Sequence, residues 1–285
     1  MTVNSYLTNL ANSAIIRDSE KQNIARSIST LQTRLNSYFG SQLKRQVVFG
    51  SYTRNTILPR TMDQNSDIDY MIVFADSSFT PQRYLNQLRQ FSATYYGRSE
   101  IFQSNPTMVL SLNHIKLELV PAIDDWFHGL RIPAKASSYQ NWIDTDPNDF
   151  NSSLTSKNQS NNSLIKPLVR LVKYWNAKNG YVFESYDLEQ KVINHTFFFL
   201  GGLLSSLRSS GQLKEYFFEF MLGLELPWTA SQAKKNTLVS VKRKIESVKH
   251  ALAIGLEDNA ELQLKNILPP VQTNQSLLRG LSTYR

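Results

Sequence analysis

The sequence contains no cysteine among its 285 residues. This absence excludes disulfide bonds, thiolate metal sites and a cysteine nucleophile, and it fits a reducing compartment. The chain also lacks a long apolar run, because its most apolar stretch, residues 197–204, is far shorter than the roughly 20 residues that span a bilayer. The N-terminal segment has no basic start followed by an apolar run, so no signal peptide is predicted. We therefore expect a soluble, cytoplasmic protein that has no membrane partner.

The charge of the chain is unbalanced, with 31 Lys and Arg against 23 Asp and Glu and a formal net charge of +8. A basic surface attracts nucleotides, nucleic acids or acidic partners. The densest basic run lies within residues 234–249. Its ordinary interpretation is the solvated face of a helix, so RNA binding is left open and is not predicted.

The first half of the chain shows a mixed pattern of helices and strands. Apolar residues at three- and four-residue steps predict a helix over residues 18–39, and Thr80-Pro81 predicts the start of another. Apolar and alternating segments predict five strands, at residues 46–49, 67–74, 99–103, 107–112 and 115–120, with Pro121 closing the last one. Residues 144–163 are rich in Asn, Ser and Asp, which predicts a connecting segment.

Beyond residue 163 the apolar pattern is helical. We predict helices near residues 164–178, 187–208, 212–222, 231–254 and 258–267. The expected fold is α+β, with a mixed sheet and helices followed by a C-terminal helical lobe and the active site in the cleft between them. The predicted domains are residues 1–155, a catalytic core with the long helix, and residues 156–285, a helical nucleotide-binding lobe.

Two aspartates at the start of the strongest strand are the first candidates for chemistry. Alternate residues of a strand face the same side, so Asp67 and Asp69 project together, about 7 Å apart at the backbone. Carboxylates placed together repel unless a cation neutralises them, and their hard oxygen ligands suit Mg²⁺ or Mn²⁺. Two such ions can clamp the attacking and leaving oxygens of a phosphoryl displacement. The alternative for an isolated Asp-Ile-Asp is an exposed strand start.

Two further elements strengthen the first interpretation. Gly50-Ser51 follows a strand one loop before the aspartates, where a glycine permits a tight turn and amides can bind phosphate oxygens. Arg54 offers a charge-assisted phosphate contact. Glu118 is a charge within an apolar strand, and it faces either a metal, a cation or solvent. Beside the two aspartates it could ligate a metal and accept a proton from an attacking hydroxyl.

These elements resemble the DNA polymerase beta-like nucleotidyltransferase superfamily, and more narrowly the bacterial cGAS/DncV-like nucleotidyltransferases. The segments that carry the narrower resemblance are GSYTRNT (50–56), SDIDYMIVF (66–74), LELVPAI (117–123), WIDTDP (142–147), LIKPLVRLVKYWN (164–176) and ESYDLE (184–189). The resemblance covers roughly residues 45–190. It implies an enzyme that makes a cyclic di- or trinucleotide second messenger from ribonucleoside triphosphates in antiphage defence, with two Mg²⁺ or Mn²⁺ ions.

The resemblance also assigns roles to single residues. Gly50 and Ser51 match the phosphate-binding turn, Asp67 and Asp69 match the metal ligands, and Glu118 stands at the third carboxylate, where many relatives have Asp. Lys173 and Ser185 match triphosphate contacts, the alternative for Lys173 being a surface lysine of an amphipathic helix. Asn158 matches a base-reading asparagine of one subgroup.

The resemblance implies partners and leaves a second function open. We expect a monomer that binds ribonucleoside triphosphates and reaches a downstream effector through its nucleotide product. The alternative is a polymerase beta-type nucleotidyltransferase that acts on RNA ends, a protein or a small-molecule acceptor, because one fold supports all of these.

Overall fold

The computed structural model describes residues 1–97, 99–104, 106–126, 129–134, 141–198 and 211–271. It divides into two compact units. The sheet unit comprises residues 16–57 and 65–152, and the helical unit comprises residues 1–15, 58–64 and 153 onwards. This division differs from the expected domains 1–155 and 156–285, because residues 1–15 and 58–64 group with the helical unit.

Seven strands of the sheet unit form one mixed sheet. The strands are β1 (Leu43–Phe49), β2 (Asp67–Phe74), β3 (Glu100–Ser104), β4 (Thr107–Ser111), β5 (Lys116–Asp125), β6 (Gly129–Pro133) and β7 (Trp142–Asp144). The main order is β1-β2-β5-β4-β3, with β6 paired to the far end of β5 and β7 paired to β6. β2 and β5 run parallel, whereas the other pairs are antiparallel. The fold class is therefore α+β.

Ten α-helices accompany the sheet within the described residues. They are α1 (Val3–Ser13), α2 (Asp18–Phe39), α3 (Gly50–Thr53), α4 (Pro81–Tyr96), α5 (Pro147–Ser160), α6 (Ile165–Lys178), α7 (Ser185–Asn194), α8 (Leu213–Gly223), α9 (Gln232–Ala253) and α10 (Glu257–Lys265). No helix in this part of the chain is long and apolar enough to cross a membrane.

The sheet has two different faces at β2. Ile68, Tyr70, Ile72 and Phe74 belong to a large apolar cluster with buried residues of α2 and α4. The opposite face carries Met71 and Val73 in a small cluster with Ala122. Because side chains alternate along a strand, Asp67 and Asp69 lie on this second face. The apolar face anchors the strand that carries the aspartates.

The helical unit has a core of its own. Its largest fully buried side chain is Trp175, from α6. Residues of α1, α6, α7, α8, α9 and α10 line this core. α1 buries Val3, Tyr6, Leu7 and Leu10 at helical spacing, and this places the N-terminal helix with the helical unit.

Several predicted elements are confirmed and others are wrong. The helix at 18–39 and the strand at 67–74 have the predicted bounds. α1 has no counterpart among the predicted elements. The connecting segment predicted at 144–163 is mostly helix α5, whose start is capped by Asp146, with Oδ1 accepting from the amides of Asn148 and Asp149.

Two predicted boundaries are also corrected. β5 continues through Pro121 to Asp125, because Pro121 falls between the segments of β5 that pair with β4 and with β6. A proline lacks an amide donor and is tolerated where no neighbouring strand requires one. The helix predicted at 187–208 ends at Asn194, and the part of that prediction from residue 199 lies outside the described residues.

Candidate active site

Three carboxylates meet on one face of the sheet. Asp69 stands directly opposite Glu118 in the parallel pairing of β2 with β5, and Asp67 stands opposite Lys116. Neighbouring strands lie about 4.8 Å apart, and residues opposite each other share a face. The three side chains are half-buried. The register therefore brings together the three carboxylates that the sequence predicted as one group.

The proton affinity of Glu118 reflects this crowding. Burial raises the pKa of Glu118, and the negative charges of Asp67 and Asp69 raise it further, to about 8. Glu118 shares a hydrogen bond with Asp67, and a hydrogen bond with Thr107 acts in the opposite direction by lowering its pKa. Without a cation, the third carboxylate thus retains a proton near neutral pH. A bound cation would favour its ionised form.

The three carboxylates are chemically suited to binding a hard divalent cation. All three groups are carboxylates, which Mg²⁺ and Mn²⁺ prefer over nitrogen or sulfur ligands. Among the described residues, however, no group of three His, Cys, Asp or Glu side chains is already arranged to hold a metal ion. Glu118 instead bonds to Asp67. The three carboxylates lie on one face of the sheet. To bind a metal ion, Glu118 and Asp67 would have to release the proton of the hydrogen bond between them.

Gly50 lies against the second aspartate. It follows Phe49, which pairs with Asp69 across β1 and β2, and it has φ +76°. A Cβ at this position would lie 2.6 Å from Cγ of Asp69 and would overlap its carboxylate oxygen. Both the backbone angle and the contact therefore require glycine. The Gly-Ser turn and Asp69 are brought together, as the sequence predicted.

The loop after Gly50 folds back on Ser51. The carbonyl of Ser51 accepts hydrogen bonds from the amides of Thr56 and Ile57, at 3.0 and 3.1 Å. Arg54 is buried, with 8% exposure, and its guanidinium lies over the ring of Phe150 at 4.5 Å. The structure thus packs Arg54 against Phe150 of α5, and its predicted phosphate contact stays a prediction.

Lys173 and Ser185 lie in the helical unit. Lys173 is 7% exposed, and its Nζ lies 3.0 Å from Oε1 of Glu189, which is 1% exposed. Ser185 is the first residue of α7 and half-buried, while Glu189 stands one turn further along the same helix. Lys173 is therefore not a surface lysine. Its environment is a buried ion pair that joins α6 to α7.

Asn158 lies in the last turn of α5. Its Oδ1 accepts a hydrogen bond of 2.9 Å from the amide of Lys166, in the first turn of α6. The residue that precedes α6, Leu164, makes no side-chain cap, so Asn158 satisfies an amide that would otherwise lack an intrahelical partner. This contact gives Asn158 a structural role, and its base-reading role stays a prediction.

Comparison with known proteins identifies the family. Residues 1–158, which are more than half of the chain, match the profile of the Second Messenger Oligonucleotide or Dinucleotide Synthetase domain. The chain belongs to this family. It is a nucleotidyltransferase of the cGAS/DncV-like type.

Individual relatives of this synthetase domain are distant. A probable cyclic nucleotide synthase of Bacillus cereus (strain VD146) is 26% identical, and the match covers 77% of each chain. The cyclic AMP-AMP-AMP synthase of an Acinetobacter species is 27% identical over 46% of this chain and 38% of that protein. The solved structure of Vibrio cholerae DncV cyclic AMP-GMP synthase, in complex with a linear intermediate, has a TM-score of 0.71, with 12% identity and 97% of each chain covered.

Two residues that contact candidate site residues of the synthetase were not identified from the sequence. Thr107 contacts Glu118, and only the strand register reveals this, since a threonine at the start of an apolar strand carries no local signal. Glu189 pairs with Lys173. Its signal was present, because it follows Ser185 by one helical turn and so shares a helix face with it.

Proposed function

We propose that this synthetase makes a cyclic di- or trinucleotide from ribonucleoside triphosphates. A ribose hydroxyl of one nucleotide attacks the α-phosphate of another and pyrophosphate leaves; the ring closes at the second such transfer for a dinucleotide and at the third for a trinucleotide. The observation that carries the proposal is the group of Asp67, Asp69 and Glu118 on one face of the sheet, with Gly50 against Asp69. Membership of the synthetase family supports it, as do relatives named for cyclic AMP-AMP-AMP and cyclic AMP-GMP synthesis.

The three carboxylates would hold two Mg²⁺ or Mn²⁺ ions. When bound, such ions supply charge neutralisation at the attacking and leaving oxygens. In the proposed reaction Glu118 accepts the proton of the attacking hydroxyl, and it does so in the ionised form that a bound cation would favour. Gly50 and Ser51 bind phosphate oxygens through backbone amides and the Ser51 hydroxyl. Catalysis then rests on positioning and on electrostatic stabilisation.

The residues of the helical unit have proposed roles in substrate binding. Lys173 and Ser185 contact the triphosphate, and Asn158 reads the base. The position of Ser185 supports its role, because the first turn of a helix presents amides to anions. For Ser185→Ala we expect a higher KM for nucleoside triphosphate and little change in kcat. An unchanged KM would remove Ser185 from the binding site.

The biological role of the product is proposed from the family resemblance. We propose that the cyclic nucleotide reaches a downstream effector in antiphage defence. The prediction is that cells that express this chain with its effector resist phage infection, whereas cells with Asp67→Asn and Asp69→Asn do not. Equal resistance in both strains would show that protection is independent of nucleotide synthesis.

The experiment that tests the synthase activity is direct. Purified protein is incubated with all four ribonucleoside triphosphates and Mg²⁺ or Mn²⁺, treated with phosphatase, and the products are identified by mass spectrometry. We expect a phosphatase-resistant product with the mass of a cyclic di- or trinucleotide. Asp67→Asn with Asp69→Asn should abolish it, while circular dichroism confirms that the variant remains folded.

The same experiment addresses a different acceptor. If no cyclic product forms while nucleotide and metal still bind, labelled triphosphate is offered together with RNA, protein and small-molecule acceptors. Label transferred to RNA ends, a protein or a small molecule, and lost in the double aspartate variant, would replace the cyclic synthase with that alternative activity.

A further inference from the structure

Thr107 is a buried hydroxyl beside the third carboxylate. It is the first residue of β4 and is 6% exposed. β4 pairs with β5 so that Val109 stands opposite Glu118. Thr107, two residues before Val109, faces the same side of the sheet as Glu118 and is its diagonal neighbour. The register alone therefore directs its hydroxyl towards the carboxylate face.

The hydroxyl of Thr107 has two acceptors within reach. It forms a hydrogen bond with the carboxylate of Glu118, and its Oγ1 lies 2.8 Å from the carbonyl oxygen of Ser104 across the β3–β4 connection. A hydroxyl has one proton to donate and two lone pairs that accept. Thr107 Oγ1 donates to the carbonyl of Ser104, and its oxygen also lies within contact of the Glu118 carboxyl group.

Thr107 supplies a polar contact from β4 to Glu118. The neighbours of Thr107 on β4, Met108 and Val109, are buried and apolar, so they offer no side-chain alternative. Groups that bond to a metal ligand from behind fix its orientation, and their loss commonly weakens metal affinity. The carboxylate of Glu118 also shares a hydrogen bond with Asp67, so Thr107 and Asp67 both contact it in this structure.

We propose that Thr107 is a positioning residue that orients the Glu118 carboxylate for binding a divalent cation. This inference rests on the proposed function, in which Glu118 is a metal ligand. In this proposal Thr107 is not itself a metal ligand. Its contribution acts through Glu118 and should vanish when Glu118 can no longer bind a metal.

The test measures Mn²⁺ binding without nucleotide, by electron paramagnetic resonance of free Mn²⁺. The variants are Thr107→Val, which keeps the shape and removes the hydroxyl, Thr107→Ala as a second deletion, and Thr107→Ser, which restores the hydroxyl. A control is Thr94→Val on α4, whose exposed hydroxyl donates to the carbonyl of Gln90. For Thr107→Val we expect Mn²⁺ affinity to fall about tenfold, with Thr107→Ser and Thr94→Val close to wild type.

A double-mutant cycle separates positioning from a general structural effect. In a Glu118→Gln background, Thr107→Val should change Mn²⁺ affinity no further, because the ligand it orients is already lost. Equal weakening in both backgrounds would overturn the inference, as would wild-type Mn²⁺ affinity in Thr107→Val and Thr107→Ala. Mn²⁺ binding that does not depend on Glu118 in the otherwise unaltered protein would also overturn it.

The Mn²⁺ measurement tests the role of Thr107 separately from the synthase activity. Mn²⁺ affinity is measured without any product being formed. An unaltered protein that binds Mn²⁺ through Glu118 but makes no cyclic nucleotide would refute the synthase proposal and leave Thr107 to be judged by the cycle. An active synthase with unchanged Mn²⁺ affinity in Thr107→Val would refute the inference alone.

Discussion

The two units of the molecule differ in the charges that they place next to one another. In the sheet unit, Asp67, Asp69 and Glu118 place charges of the same sign on one face, and the pKa of Glu118 rises to about 8. In the helical unit, Lys173 and Glu189 have opposite signs and lie 3.0 Å apart, with only 7% and 1% exposure. In the carboxylate group each negative charge destabilises the others, whereas in the Lys173–Glu189 pair each charge stabilises the other.

This difference separates a candidate site from a structural contact. An ion pair reduces the cost of removing two charges from water, so Lys173 and Glu189 are compatible with the folded helical unit by themselves. The carboxylate group gains nothing from folding, because each member raises the cost of the others. A strongly perturbed pKa with a named charge partner is typical of functional sites. The carboxylate group of the sheet unit is therefore the candidate site, and the ion pair of the helical unit is a structural contact.

The largest expected effect comes from the glycine that adjoins the carboxylates. Gly50→Ala would place a Cβ over the Asp69 carboxylate at φ +76°. We expect nucleotide synthesis to fall on the order of 100-fold, since a small displacement of a reacting group is costly, and the thermal midpoint to fall as well. Gly40→Ala is the control, because Gly40 also has positive φ but no atom within 4 Å of the added Cβ. Equal activity of the two variants would contradict this account.

A second prediction concerns a variant that removes one member of the Lys173–Glu189 ion pair in the helical unit. Lys173→Met leaves the Glu189 carboxylate buried without its ammonium, so we expect the free energy of unfolding to fall by about 3–5 kcal/mol. Lys173→Met with Glu189→Leu should recover most of this loss. Urea denaturation followed by circular dichroism measures both.

The double variant also separates the two roles of Lys173. If it is stable but binds nucleoside triphosphate more weakly, the lysine contacts the nucleotide as proposed. If its stability is restored and its nucleotide affinity is that of the unaltered protein, the pair is purely structural. A double variant that is less stable than Lys173→Met would contradict the description of the pair as mutually compensating.

A third prediction concerns the pH dependence of the carboxylate group. The pKa of Glu118 is raised from 4.5 to about 8, so within this window the native state retains a proton that the unfolded state has released. The contribution of Glu118 to the free energy of unfolding is therefore fully present below this window and is lost as pH rises through it. Added Mg²⁺ should stabilise the protein more at the upper end, where it no longer competes with the proton.

Denaturation in the presence of a chelator measures this effect at pH values below, within and above the window. Glu118→Gln is the control, because an amide does not titrate. We expect the two proteins to diverge in stability as pH rises. Parallel curves for Glu118→Gln and the unaltered protein would show that Glu118 is ionised at an ordinary pKa and that the carboxylates do not interact as described.

The smallest expected effect belongs to Asn158. Asn158→Ala removes the hydrogen bond to the amide of Lys166, so the free energy of unfolding should fall by ~1 kcal/mol. The next residue, Gln159, is exposed, and Gln159→Ala should change little. Asn158→Ser tests the other role, since unchanged preference among the four nucleotides would leave Asn158 with its structural contact alone.

Local patterns in the sequence were sufficient for the parts of the fold that repeat regularly. The apolar spacing of α2 and the strand from Asp67 to Phe74 were predicted with the observed bounds. Helix α5 was missed because Asn and Ser dominate it and only Leu154 is buried. The end of β5 was misplaced because a proline breaks a strand only where a neighbouring strand needs its amide.

Contacts between distant residues explain the rest of the difference at the site. Gly50, Asp67 and Asp69 stand close in sequence, and their spacing predicted their grouping. The pairing of Lys173 with Glu189 and the position of Thr107 beside Glu118 depend on helix packing and on strand register. Neither follows from the composition or periodicity of one segment.

We propose that the carboxylate face of the sheet unit binds the cations of nucleotidyl transfer. Crystals of the protein soaked with Mn²⁺ and a non-hydrolysable nucleoside triphosphate, measured at the manganese absorption edge, test it most directly. We expect two anomalous peaks, about 3.5–4 Å apart, ligated by Asp67, Asp69 and Glu118. Manganese peaks only at other carboxylates, with nucleotide bound and this face empty, would contradict the account.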